Sequence, residues 1–375
     1  MIKRTQLDEI IQFIDFKKAV IIFGARQVGK TTLTEQIAEV LKIPFRYFNA
    51  DEILVRETWK PENVETLLSL IGESKLVVLD EAQMLENAGL ILKILIDRKL
   101  GIQFIITGSS SLDIANSTYE SLTGRKWTFE LYPLSIHEMV KNFGLFEVRK
   151  NLENYMVFGT YPEVINEKDK AKAALSNIMQ SYLYKDILAL AGIRKPATLD
   201  KLVKALAYQI GQEVSLNELS RITGLDVKTV DAYIDLLQKT FIIFVLPSFS
   251  RNLRNEIAKG KKIYFYDNGI RNAVINNFSP CSIRDDIGQL WENFIVSERM
   301  KYNNIMRNHV NSYFWRTTAQ QEIDYIEETD GQITAFEIKW SPNKKAKFSI
   351  TFTNAYEPKE TKLIHRENFW NWLGV

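Results

Sequence analysis

The chain has 375 residues, 46% of them hydrophobic and 25% charged, which is enough for two or three domains with a substantial core. Forty-eight basic against 46 acidic residues leave a net charge of +2, so bulk charge names no polyanionic partner, and any contact with nucleic acid has to come from a local patch. The single cysteine, Cys281, excludes an intramolecular disulfide or a thiolate metal cluster, the opening "MIKRTQLDEIIQFIDF" lacks the apolar centre of a signal peptide, and no stretch approaches the ~20 apolar residues of a membrane span. These features predict a soluble protein of the reducing cytoplasm with no membrane partner.

The first informative element is "AVIIF", Ala19–Phe23, a β-branched run that reads as a buried strand. It runs into Gly24, Ala25, Arg26, Gln27, Val28, Gly29, Lys30 and Thr31, which fit GxxxxGK[ST], with Thr32 next. The glycines let the backbone turn and aim its N–H groups inward, and Lys30 adds a charge, the needs of a phosphate cradle. Leu33, Ile37 and Leu41 then recur at helical spacing. Strand, glycine loop and helix in this order predict a nucleotide site for ATP with Mg²⁺, Thr31 being one metal ligand.

A further apolar segment, "PFRYFNAD", predicts an inserted strand before "KLVVLDEAQ". In the latter, Leu76–Leu79 are continuously apolar, so Asp80 falls at a strand tip, where it can hold Mg²⁺ through water, and Glu81 follows as the candidate base for an attacking water. A strand-end acid can also cap the next helix, which is the competing reading. The next strand, "IQFIITGSSS", ends where Thr107 or Ser109 could orient water beside the γ-phosphate; serine-rich turns are also common simply as loops.

The strings "GARQVGKTTL", "VVLDEAQ", "ITGSSS", "LTGR", "LYPLSIHE" and "GTYPEV" together resemble the bacterial and archaeal AAA-type ATP-binding proteins whose C-terminal half is a domain of unknown function. The likeness spans nearly the entire chain. It implies a P-loop ATPase with a central parallel sheet, and through "LTGR" it implies that Arg125 serves as a sensor or finger arginine, in cis or in trans. A surface arginine is the alternative.

After Pro162 the sequence turns helical, with Leu175, Ile178, Met179 and Leu183 on one face until Gly192 and Pro196. Leu216, Leu219 and Ile222, a turn at Gly224, then Val230, Ile234 and Leu237 have the spacing of a helix-turn-helix, and "FIIFVLPSF" with "KKIYFYD" supplies two strands behind it, so a winged helix is predicted. The second helix carries Asp226, Asp231 and Asp235 against Lys228, Gln238 and Lys239, a poor surface for phosphates. The basic residues Arg251, Arg254, Lys259, Lys261 and Lys262 suit phosphate contact better, or form a solvated loop.

The amphipathic segment "IGQLWENFIVSERMKY" buries Ile287, Leu290, Trp291, Phe294 and Ile295, with Glu292 beside that face. In "EIDYIEE" and "ITAFEIKWS", alternation places Asp324, Glu337 and Lys339 on one side of neighbouring strands. An acid on a helix, an Asp on one strand and ExK on the next resembles the PD-(D/E)xK nucleases, although Ile323 stands where that family's name has proline. The resemblance implies Mg²⁺ or Mn²⁺ on Asp324 and Glu337, Glu292 completing the shell through water, and Lys339 steadying charge; Lys339 alone is expected to neutralise only one carboxylate. A cross-strand salt bridge is the plainer reading of ExK.

The expected organisation is an α/β P-loop ATPase domain over 1–160, a helical connector and winged helix-turn-helix over 161–275, and an α/β restriction-endonuclease-like domain over 276–375. Two functions suit it: an ATPase that moves a C-terminal region acting on or near DNA, or a nucleotide-dependent switch or scaffold that binds a protein partner through the same region, its nuclease-like site inactive.

Overall fold

Strands apolar on both faces belong inside a parallel sheet, because only there are both faces covered. The computed structural model, which describes residues 2–109, 122–180, 196–250 and 260–375, has its fully buried runs in that position. The chain forms two compact units, Met1–Pro133 with Lys239–Phe241, and Leu134–Gln238 with Ile242–Val375. The first unit ends ahead of residue 160, and the second takes in both segments expected as separate domains.

In the first unit, β1 (Ala19–Phe23), α1 (Lys30–Leu41), β2 (Phe45–Asn49), β3 (Leu76–Asp80), β4 (Gln103–Gly108) and β5 (Lys126–Glu130) build a five-stranded sheet in the order β2-β3-β4-β1-β5, parallel throughout. The strand between β1 and β3 in space is β4, whereas β2, which lies between them in sequence, is an edge strand with exposed positions. Parallel pairing brings the C-terminal ends of all five strands to one edge, where the β1–α1 loop, Asp80 and Thr107 meet.

The second unit opens with α2 (Ile136–Phe143), started by a capping box between Ser135 and Glu138. This explains part of "LYPLSIHE". Ile136 N–H donates to Glu298 at 2.6 Å, and Glu298 is held by Lys301 at 2.7 Å. Lys301 also reaches Thr160 at 3.4 Å, whose N–H donates to Asp267 at 2.7 Å, so "GTYPEV" closes the same buried knot. Burial pushes the carboxyls of Glu298 and Asp267 above the usual range, opposed by Lys301.

After short helices over Leu145–Lys150, Leu152–Phe158, Pro162–Asn166 and Ala171–Ile178 come α3 (Pro196–Tyr208), β6 (Glu213–Val214), α4 (Leu216–Thr223) and α5 (Val227–Lys239), then β7 (Ile243–Pro247) and β8 (Lys261–Phe265). Ser215 caps α4, Gly224 ends it at φ 73°, and the strands form an antiparallel sheet in the order β6-β8-β7. The expected Leu183, Arg251, Arg254 and Lys259 lie outside the described residues. The last segment runs α6 (Ile287–Ile305), β9 (Asn311–Arg316), β10 (Glu322–Thr329), β11 (Gln332–Ile338), α7 (Ile350–Tyr356) and β12 (Glu360–Ile364). Its sheet has the order β12-β11-β10-β9, antiparallel except for β11 with β12. The β9–β10 register shifts between Ile323 and Ile326, so Ile323 joins Ile326 in the apolar cluster of Trp315, Ala335 and Phe352 rather than alternating strictly with it. Among the described residues no helix is long and apolar enough to cross a membrane.

Gly159 has φ 72°, and a Cβ there would stand 2.0 Å from Asp267 Oδ1. Gly159→Ala should therefore cost about 3 kcal/mol in urea unfolding. Gly288→Ala, in α6 with nothing within 4 Å of its Cβ, should cost nothing.

Candidate active site

The loop after β1 is shaped by two different constraints. At Gly24 the constraint is space, since a Cβ would meet the Leu131 carbonyl oxygen at 2.1 Å. At Gly29 it is conformation, because φ is 95°; Gln27, at φ 63°, carries the other left-handed residue of the loop. Ala25 and Val28 are buried beneath, while Arg26 and Thr32 are half-buried and Gln27 is exposed. Arg4, which sequence reasoning missed, is buried and braces the loop by donating to Val28 O at 3.0 Å and Tyr132 O at 2.7 Å. The Lys30 ammonium turns back over the loop, 3.0 Å from Gly24 O and 2.9 Å from Ala25 O.

Asp80 gathers the rest of the site. Its Oδ2 accepts from the Thr31 hydroxyl at 2.8 Å and from the Tyr47 phenol at 2.5 Å. Its Oδ1 accepts from the Thr107 hydroxyl and from Glu81 N–H, the latter at 3.2 Å. Burial and then the Asp80 carboxylate raise the Tyr47 phenol above its usual range, so Tyr47 is a donor here. Glu81 has φ 54°, an unusual conformation for a non-glycine residue, and its carboxylate accepts from Gln83, which also donates to Ser109 Oγ at 3.0 Å. The expected Lys30, Thr31, Asp80, Glu81, Thr107 and Ser109 are thus brought to one edge. Tyr47 and Gln83 were not foreseen, since nothing in "FRYFN" or after Glu81 marks them. Hydroxyl and carboxylate oxygens 2.8 Å apart are the donor set that suits Mg²⁺.

Arg125 stands elsewhere. It precedes β5, and Ala19 pairs with Lys126, so Arg125 lies at the end of the sheet opposite the loop. There it forms an exposed ion pair with Asp97 at 2.6 Å and does not face Lys30 of its own chain. Parallel pairing is the cause: a residue before one strand cannot meet a residue after its neighbour.

The second polar cluster does come together, around two lysines. Lys339 Nζ lies 2.8 Å from both Asp324 and Glu337, so its single charge is shared between two carboxylates, in keeping with the expectation that it can neutralise only one. Asp324 also accepts from Ile338 N–H at 2.8 Å. Glu292 is engaged by Lys262 at 3.1 Å and the Tyr264 hydroxyl at 2.7 Å. Lys262, expected to contact phosphates, is instead 1% exposed and also pairs with Glu322 at 2.5 Å, while Lys261 pairs with Asp231 at 3.3 Å. Burial works against the ammonium groups of Lys262 and Lys339, yet the surrounding carboxylates hold both above the usual lysine range. Asp324 and Glu337 thus share Lys339 while Glu292 is held by Lys262 and Tyr264, and among the described residues no group of three or more Asp, Glu, His or Cys side chains forms a metal-ligand set. Two lysines supply the positive charge.

Burial, then the Asp324 carboxylate, pushes Glu337 up to about 7. A carboxyl whose folded value is raised loses stability as pH climbs from its unfolded value toward the folded one, because the folded state then holds the extra proton. Relative to Glu337→Gln, the parent should lose about 2 kcal/mol between pH 4.5 and pH 7, read by urea unfolding at both ends.

Comparison with known proteins bears on both units. Residues 16–140 match an AAA domain family, residues 149–280 a domain of unknown function (DUF8612), and residues 287–369 another (DUF4143). An uncharacterized protein of Mycobacterium tuberculosis is 27% identical over 85% of this chain and 70% of its own length. One of Methanocaldococcus jannaschii is 24% identical over 79% and 70%. Among solved structures, the RuvB Holliday junction branch migration motor of Thermotoga maritima covers 70% of this chain and 92% of its own, at 14% identity and a TM-score of 0.37, too low to argue from. The AAA match takes in the strand, the loop and Asp80, and the geometry of the loop agrees with it: residues 16–140 are similar to an AAA-type ATPase domain.

Proposed function

We propose that this protein hydrolyses ATP in its first unit and uses the nucleotide cycle to control a second unit that acts on DNA. The observation that carries the first half is the contact of Thr31 with Asp80 at the edge where Lys30 and Glu81 also stand. Lys30 would leave its two loop carbonyls to meet the β- and γ-phosphates, and Thr31 and Asp80 would hold Mg²⁺, whose chemistry is to neutralise charge on the transferred phosphoryl group. Glu81 would take the proton of the attacking water, and Gln83 sets where its carboxylate points.

The DNA half is supported by element order. A helix pair backed by the β6-β8-β7 sheet follows the order of a winged helix, and α6, β9, β10, β11, α7 and β12, with β12 parallel to β11, follow that of a restriction-endonuclease-like domain. With two lysines among its carboxylates, we read that domain as one that binds without cutting. A second reading, control of a protein partner, is favoured by the exposed Asp226 just ahead of α5 and Asp231 and Asp235 on it.

Lys30→Ala should abolish nucleotide binding, whereas Glu81→Gln should still bind ATP and hydrolyse it about 100-fold more slowly. Turnover of Glu81→Gln at the parental rate would assign the base elsewhere. For the second unit, affinity for a DNA duplex should fall steeply with salt, log Kd changing linearly with log salt; salt-insensitive or absent binding would favour the protein partner. Plasmid incubated with Mg²⁺ or Mn²⁺, with and without ATP, should stay intact.

A further inference from the structure

A carboxylate has about four acceptor positions. On Asp80 four protein donors take them: the hydroxyls of Thr31 and Thr107, the Tyr47 phenol and Glu81 N–H. Water bound to a metal at Asp80 needs one of these positions. Thr31 belongs to the loop that would hold the metal, Thr107 is fully buried, and Glu81 N–H is backbone. Tyr47 differs from all three. It stands on the edge strand β2 and is 41% exposed, so its ring has solvent to turn into. The register of β2 with β3 pairs Tyr47 with Val78 and Asn49 with Asp80, which puts Tyr47 on the Asp80 face as a diagonal neighbour.

We propose that Tyr47 is a positioning residue that competes with the hydration shell of magnesium for Asp80 Oδ2, so that metal entry and departure of the phenol are a single exchange. The inference rests on the nucleotide reading above and adds a brake on metal loading. It concerns the metal and not the phosphates: the Tyr47 phenol donates to Asp80 and lies beside the Thr31 hydroxyl, the two groups that would hold the metal, so nucleotide taken up without metal should be indifferent to it.

The test uses the full chain and mant-ADP fluorescence, in EDTA and across a Mg²⁺ titration. In Tyr47→Phe the Mg²⁺ concentration at half of the metal-dependent change in mant-ADP binding should fall on the order of tenfold, the worth of one hydrogen bond to a charged acceptor. Affinity in EDTA should stay as in the parent, a separation that a merely structural role would not give. An unchanged or higher Mg²⁺ midpoint overturns the proposal, as does an equal shift in EDTA, or a parent that binds mant-ADP without responding to Mg²⁺. A parent that binds no mant-ADP at all overturns the nucleotide reading and this inference with it.

Discussion

In a sheet whose strands all run one way, everything that follows a strand lies at one edge and everything that precedes a strand lies at the other. That constraint decides what the first unit can do. It collects the Lys30 loop, Asp80 with Glu81, and Thr107 with Ser109 from three separated stretches of sequence. It equally decides what is left out, since Arg125 sits before β5. Asp80 then fixes the details, because its oxygens tie together α1, β2 and β4.

The second unit is organised by buried charge. Lys262 and Lys301 are almost wholly enclosed, Lys301 beside the equally enclosed Glu298 and Lys262 between the partly buried Glu292 and Glu322. Removing one partner from such a pair strands the other at a cost of about 3–5 kcal/mol, whereas the intact pair adds little net stability. Such networks therefore specify which elements meet more than they strengthen the fold. Glu292 illustrates this: the side chain that sequence reading assigned to a metal is bonded to Lys262 and Tyr264 of β8.

Much of the first unit was legible because its signals are local. "AVIIF" became β1 at the expected bounds, Asp80 ended β3, and the loop stood where the glycine spacing placed it. Tyr47, Gln83 and Arg4 were not legible, because their roles come from packing between distant segments and their residue types are common in strands and loops. In the second unit the three-residue grouping of Asp324, Glu337 and Lys339 followed from strand alternation. The bulge beside Asp324 did not, as nothing in "EIDYIEE" signals an extra residue. Lys262 was misjudged because a run of basic residues reads as a solvated patch, and only the fold shows that Lys262 has carboxylates on two sides.

The two domains of unknown function meet at a seam between residues 280 and 287, which is where a chain would be expected to come apart into separately inherited pieces. The bonds across that seam argue otherwise. Lys262 and Tyr264 end on Glu292, Phe265 exchanges backbone bonds with the Asn293 side chain, and Ile136 ends on Glu298. A piece ending before α6 would lose the carboxylates that make the burial of Lys262 tolerable, and a piece starting there would bring Glu292 and Glu298 with no cation or N–H from the earlier segment. Separating the two segments would leave Lys262 without Glu292 and Glu322, and the Ile136 N–H without Glu298.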